Sequence, residues 1–368
     1  MRKSVLGVMA MLLAAPVHAD TSRPAWEGVW RGTIGTLPVL ACLAQRSDSW
    51  NMGSYYYLNK LTPIPLNRET DGSWTEHGGS GEVTGKWTLA VGAGGRLSGQ
   101  WKAGAKDLPV SLTRVAAAAS DDGPCASDAF FAPRVRPVRQ STKPARKDGF
   151  AYTEVTYNVG PSFPDVSLSS FSYPEAQPGD RAINAFLRLN PAKPGDPAEY
   201  LPCLQSSLAS TGSDSEFAFS YTPGLVTRDF VSVAVDSGGT CGGAHPDEAQ
   251  WHITLDRQTG RKIDLASWFT RAGFLPRSPN EGGEIRQIMP ALRRLVLSRF
   301  RFAEAECREA VAMEDYWAIG IARGGIAFQP NLPHVAAACA DSAVVPFAAL
   351  NPFLSPVGKQ GAAKLAGR

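Results

Sequence analysis

Four histidines lie beyond residue 19 of this 368-residue chain: His77, His245, His252 and His334. His245 carries the most chemical promise. It follows Gly242-Gly243-Ala244 and precedes Pro246, in a glycine-rich turn between two apolar segments. Such a turn can project a side chain towards a ligand. Asp236 ends the segment before the turn, and Asp247 and Glu248 follow it. An imidazole among carboxylates has the groups for acid–base work or for a metal site. His252, however, falls in a strand-like segment, and no HExxH spacing puts two ligands on one helical face. No residue is therefore assigned as catalytic or as a metal ligand. Asp236, Gly242, Gly243, His245 and Asp247 form a candidate binding turn. The structural alternative is that the glycines serve only the backbone and His245 hydrogen-bonds the turn shut.

Other motifs narrow the chemistry further. There is no Gly-x-Ser-x-Gly elbow, no Walker A loop and no dinucleotide fingerprint. The run Gly78-Gly79-Ser80-Gly81 lacks the Lys-Ser/Thr and the helix that a phosphate loop requires. No cofactor is expected. Tyr55, Tyr56 and Tyr57 alternate faces in a strand-like run, so at least one is expected at the surface, where tyrosine serves protein and sugar interfaces.

Arg2 and Lys3, an apolar run over residues 5–16 and the small-x-small triplet Val17-His18-Ala19 have the order of a cleavable signal peptide. The apolar run is shorter than the roughly 20 residues of a permanent anchor. No later segment reads as a transmembrane span, and no stable membrane insertion is expected. Cleavage removes two positive charges, taking the formal net charge from +3 to +1. A near-neutral chain has no global attraction to nucleic acid. Export to the periplasm also decides how the six cysteines are read. None forms a C-x-x-C pair, and an even number in an oxidising compartment points to disulfides. Pairing in chain order, Cys42–Cys125, Cys203–Cys241 and Cys307–Cys339, respects the domain division below.

The elements that must position these residues fall into two groups. Residues 20–114 carry short apolar runs at 26–34, 37–43, 54–58, 64–66, 85–89, 97–101 and 108–112, separated by glycine-rich turns. This spacing predicts an all-β N-terminal domain, a small meander or barrel. Residues 115–147 read as a linker, because an alanine run and two aspartates precede a basic, proline-containing stretch. Its positive charges, Arg134, Arg136, Arg139, Lys143, Arg146 and Lys147, read as a solvated surface. Residues 148–356 alternate strand and helix signals, which predicts an α+β domain with a mainly antiparallel sheet. Strands are expected at 152–159, 217–221, 230–235, 251–255, 317–321 and 326–329. Helices are expected at 180–189 and 284–300, with Pro290 a candidate for the true start of the second. Residues 357–368 read as a flexible tail.

The stretch Val231-Ser232-Val233-Ala234-Val235-Asp236, then Cys241-Gly242-Gly243-Ala244-His245-Pro246, resembles a family signature. Ile253-Thr254-Leu255-Asp256, Thr259-Gly260-Arg261-Lys262-Ile263-Asp264-Leu265 and Trp268-Phe269 continue it, and Ile326 to Pro330 and Val344 to Phe347 fit its closing strands. The pattern is similar to an extracytoplasmic bacterial domain of uncharacterised function. That domain accompanies some peptidoglycan deacetylases and forms the C-terminal region of the lysozyme-sensing RsiV-type anti-sigma factors. The resemblance spans residues 150–355, and departs at Arg261-Lys262 and at Cys241. It implies a periplasmic, non-enzymatic binding protein for a cell-envelope or lysozyme-like partner. The rival expectation is an envelope-polymer hydrolase using His245 with a nearby carboxylate.

Overall fold

The computed structural model describes residues 23–46, 51–79, 81–115, 123–275, 285–302 and 304–366. The expected signal peptide lies outside the described residues. In the N-terminal part, strands alternate inward and outward side chains, as a period of two dictates. The strands are β1 (Gly28–Ile34), β2 (Leu37–Gln45), β3 (Asn51–Tyr57), β4 (Ile64–Arg68), β5 (Trp74–His77), β6 (Val83–Gly92), β7 (Arg96–Ala103) and β8 (Lys106–Arg114). Each pairs antiparallel with the next, and β1 pairs with β8 to close an eight-stranded barrel. Closure leaves no free edge. Trp30, Trp74, Trp87, Tyr55, Leu97 and Leu112 fill the interior with other apolar side chains. Glu76, a carboxylate inside the barrel, accepts hydrogen bonds from Tyr55 Oη (2.7 Å), Trp101 Nε1 (2.8 Å) and Thr84 Oγ1 (2.8 Å). A buried polar group so satisfied holds the barrel's packing in place.

The outward side chains of β2 and β3 are covered as well. Leu40, Cys42, Ala44 and Tyr56 share a core with the second half of the chain. Tyr55 and Tyr56 are both buried, and Tyr57 is half-buried. Tyr56, on the outward face, is covered by the later part of the chain, and Tyr57 alone of the three keeps some exposure.

Residues 123–147 differ from the linker expectation. Pro124–Ala126 is a turn of 3-10 helix, followed by α1 (Asp128–Phe131), and Cys125, Phe130 and Phe131 are buried in the shared core. Arg134 is fully buried. It ion-pairs with Asp214, donates from Nε to the Leu61 carbonyl (2.8 Å) and from Nη2 to the Ser162 carbonyl (3.1 Å), and lies 4.8 Å from the Phe163 ring centroid. The basic stretch that follows is β9 (Arg139–Lys147), a strand pairing with β10 (Phe150–Asn158) alone. An edge strand tolerates proline and charge, which is why Pro144 and the lysines disguise it as linker.

A seven-stranded sheet continues through β11 (Val166–Ser172), β12 (Phe217–Val226), β13 (Phe230–Gly239), β14 (Asp247–Asp256) and β15 (Lys262–Ile263), in the order β15-β14-β13-β12-β11-β10-β9. Its one parallel pair, β11 with β12, is joined by α2 (Asp180–Leu187) and α3 (Leu201–Thr211). Both helices bury their apolar residues on one face of the sheet. Arg257 ties the β14–β15 turn to α2, with Nε and Nη2 donating to the two carboxylate oxygens of the buried Asp180 at 2.8 and 2.6 Å.

A second sheet, β16 (Ile285–Gln287), β17 (Tyr316–Ala322), β18 (Gly325–Pro330) and β19 (Ala343–Pro346), packs β17 against β12 to β14. The helix expected over 284–300 divides here. Met289 is extended because it precedes proline, and α4 (Pro290–Leu297) begins at the proline itself. Helices α5 (Ala305–Met313) and α6 (Phe347–Leu350) follow. The tail expected to be flexible forms α7 (Pro356–Ala366), with Pro356 opening it, Ala362 buried and Lys364 Nζ 5.9 Å from the Phe230 ring centroid. The fold is therefore an all-β barrel followed by an α+β region of mixed sheet and helices.

Candidate functional site

Residues directly opposite on neighbouring strands share a face. Register places Ser169 beside Ser220, Ser220 beside Asp236, and Asp236 beside Gln250. This row crosses the face of the seven-stranded sheet turned away from α2 and α3. Near β14 that face is covered by the second sheet; beyond it a cleft of about 660 Å³ opens. Ser167, Ser169, Ser220, Asp236 and Glu248 belong to the sheet wall. Gln329, Asn331, Leu332 and Asp341 belong to the opposite wall, with alanines of the exposed 3-10 segment His334–Cys339, hereafter the strap.

Asp236 accepts a hydrogen bond from Ser220 Oγ at 3.2 Å and forms no ion pair among the described residues. Gln329 closes the cleft floor, its Nε2 donating to Gln250 Oε1 (2.8 Å) and to the Ala340 carbonyl (3.2 Å). The strap has no buried residue and is anchored by Cys307–Cys339 to α5. Among the described residues the lining holds three carboxylates, Asp236, Glu248 and Asp341, and no lysine or arginine. Its chemistry is that of hydroxyls, amides and anions.

The five residues of the expected binding turn separate in space. Asp236 lines the cleft. Gly242 belongs to the turn's anchorage: Cys241 is bonded to Cys203 of α3, and Gly242 has φ +82°. A Cβ on Gly242 would sit 2.0 Å from Ser210 Oγ and 2.8 Å from the Ser206 carbonyl. Gly243 meets only the His245 carbonyl, at 3.7 Å, and has no comparable demand. Asp247 opens β14 opposite Gly239 and, one residue out of phase with Glu248, points to the other face. His245 is exposed, and its ring stacks on His334 of the strap with centroids 6.4 Å apart. The turn and the strap thus meet at the two imidazoles, outside the cleft lining.

Among the described residues no hydrogen bond joins His245 to a carboxylate, and no group of three or more His, Cys, Asp or Glu is placed to hold a metal. Cysteines 42 and 125 form the third disulfide, which joins β2 to the segment before α1. No helix among the described residues is long and apolar enough to cross a membrane.

The wall residues were open to detection only in part. The alternation Ser167-Leu168-Ser169 puts hydroxyls on one face and leucine on the other, a period-two signal. Gln250 and Gln329 carry no such signal, because their meeting depends on two separate sheets packing together.

The chain is similar to solved structures. One is a Pseudomonas aeruginosa protein, 12% identical with a TM-score of 0.31, covering 60% of this chain and 96% of that chain. Another is from Bacteroides fragilis, 13% identical with a TM-score of 0.36, covering 62% and 96%. Both are described as members of the DUF3298 family. These structural neighbours are DUF3298 proteins. No family model and no curated protein matches the chain.

Proposed function

We propose that this chain is an exported, periplasmic, non-enzymatic binding protein whose target is a cell-envelope or lysozyme-like protein. The observation that carries the reading is the cleft: large enough to admit a ligand segment, open to solvent, and lined among the described residues by hydroxyls, amides and three carboxylates without a cation. The complementary surface is a basic one. Three disulfides, each between cysteines adjacent in chain order, support life in an oxidising compartment. The signal-peptide pattern supports the same address, and the anti-sigma-factor resemblance supports the partner class. In this reading the barrel and the α+β region are two domains, and the binding surface takes in Asp236 in the cleft and the exposed turn at His245 beside it.

Calorimetric titration of the mature protein, residues 20–368, with a lysozyme tests it. Saturable binding is expected, weakened at least about tenfold by Asp236→Lys, with the melting temperature nearly unchanged, because a charge reversed beside a basic partner repels it. Absence of binding, or binding indifferent to this substitution, overturns the assignment of partner or of site respectively. Turnover of peptidoglycan by the same preparation would restore the hydrolase reading.

A further inference from the structure

His252 lies on the cleft face of β14, one step of two from Gln250, and opposite Ala234 of β13. Here the two sheets meet through side chains alone, with no backbone ladder between them. The ring lies against Gly320 of β17. A Cβ at that glycine would come within 2.6 Å of His252 Cγ, so only the bare backbone lets β17 close over the imidazole. Beneath the ring is a void of about 10 Å³, lined by Thr254, Asp264, Arg286 and Ile319. The Thr254 hydroxyl is buried there without a hydrogen-bond partner. A void of this size holds one water at most.

The ring is half-buried in this slot, which favours its neutral form. Burial holds the imidazole below its usual value, with Asp236 of β13 pulling the other way and Lys147 of β9 adding to the effect. The other charges at the void, Asp264 and Arg286 of β16, lie 3.5 Å apart and offset each other. Asp236 already accepts from Ser220. Strand β17 brings no titratable group to the ring, only Ile319 and Gly320.

We propose that His252 is a proton-operated wedge, whose protonation releases the four-stranded sheet from the seven-stranded one and widens the cleft beside it. The wall residues Gln329, Asn331 and Leu332 follow β17 at the end of the next strand, so movement of that sheet carries the wall with it. A histidine depressed in the closed state contributes stability that is complete above its unfolded value, about 6.5, and is lost as pH falls through the closed-state value. Opening is the cheaper route for the proton, because parting the sheets breaks side-chain contacts and no strand pairing. The inference adds regulation to the cleft reading, and its test uses no ligand, so the two can fail separately.

The test is amide hydrogen exchange of the mature protein at pH 7 and pH 5, with rates corrected for intrinsic pH dependence. Protection of β17 relative to β12 is expected to fall on acidification below about pH 6.5, by up to about tenfold per pH unit until the closed-state value is reached, and to level off beneath it. His252→Asn should make the ratio independent of pH. Asp236→Asn removes the carboxylate that favours the imidazolium and should move the loss to lower pH, which decides the matter even if the first variant folds poorly. His245→Asn with His334→Asn should leave it in place. Equal relative protection of β17 at both pH values in the parent protein, or an unchanged pH dependence in His252→Asn, overturns the wedge.

Discussion

The barrel and the cleft face of the seven-stranded sheet are both built from alternating strands, yet they spend the alternation differently. Inside the barrel, most inward positions are taken by aromatic or aliphatic side chains, and the inward Glu76 accepts three hydrogen bonds. On the sheet face, serines and a carboxylate occupy the equivalent positions, and space is left open before them. A closed sheet must fill its lumen with its own side chains. An open sheet can leave part of one face for something else. The barrel's contribution is therefore rigidity and a wall for the shared core, while the sheet face is where a ligand has room.

This contrast can be broken first at the junction. Arg134→Met leaves the largely buried Asp214 carboxylate without its cation and two carbonyls without their donor, and a loss of about 3–5 kcal/mol is expected in urea denaturation, because unpaired, largely desolvated polar groups are costly. A similar loss, about 3–5 kcal/mol, is expected for Trp87→Ala, which empties the centre of the barrel. If either costs under 1 kcal/mol, the barrel is not the rigid partner in the comparison. The paired change Cys42→Ala and Cys125→Ala comes next, with about 2–4 kcal/mol read by the same method.

Smaller effects sharpen the other side. Gly242→Ala puts a methyl into α3 at a left-handed φ, and about 1–3 kcal/mol is expected, seen as a lower melting temperature. Asp236→Asn keeps its Ser220 partner and should change stability by under about 0.5 kcal/mol, as for a substitution in an open cleft. A large stability loss there would mean that the carboxylate is structural. In acid, Asp180 marks the sheet's interior. Burial would raise its carboxyl, but hydrogen bonds from Arg257, Ala176 and Gln177 outweigh that and hold it below the usual range. Its stabilising contribution is present above the unfolded value, about 3.9, and disappears as pH falls through the folded one. Asp180→Asn should flatten the fall in stability below about pH 4, measured by denaturant midpoints across that range.

Much of this contrast was legible in the chain and some was hidden, for reasons particular residues make clear. The barrel strands announced themselves because Trp30, Leu40 or Tyr55 recur at period two between glycine turns. Only β5 escaped, since Trp74-Thr75-Glu76-His77 looks polar until Glu76 is seen inside the barrel. Strand β9 was hidden by Pro144 and its basic residues, whose meaning depends on being at an edge. Helix α7 was hidden because its few apolar residues acquire a purpose only against the second core.

Local pattern decided the order of elements: an all-β part, an α+β part and a glycine-rich turn at His245. These depend on periodicity and on backbone conformation, which neighbours in sequence control. Tertiary packing decided the site. Asp236, Gln250 and Gln329 meet only because two sheets stack, and His245 is drawn to His334 instead of to a carboxylate. Contacts between residues some 80 positions apart, as Gln250 and Gln329 are, come from the balance of burial across whole sheets, and no short stretch of sequence encodes them.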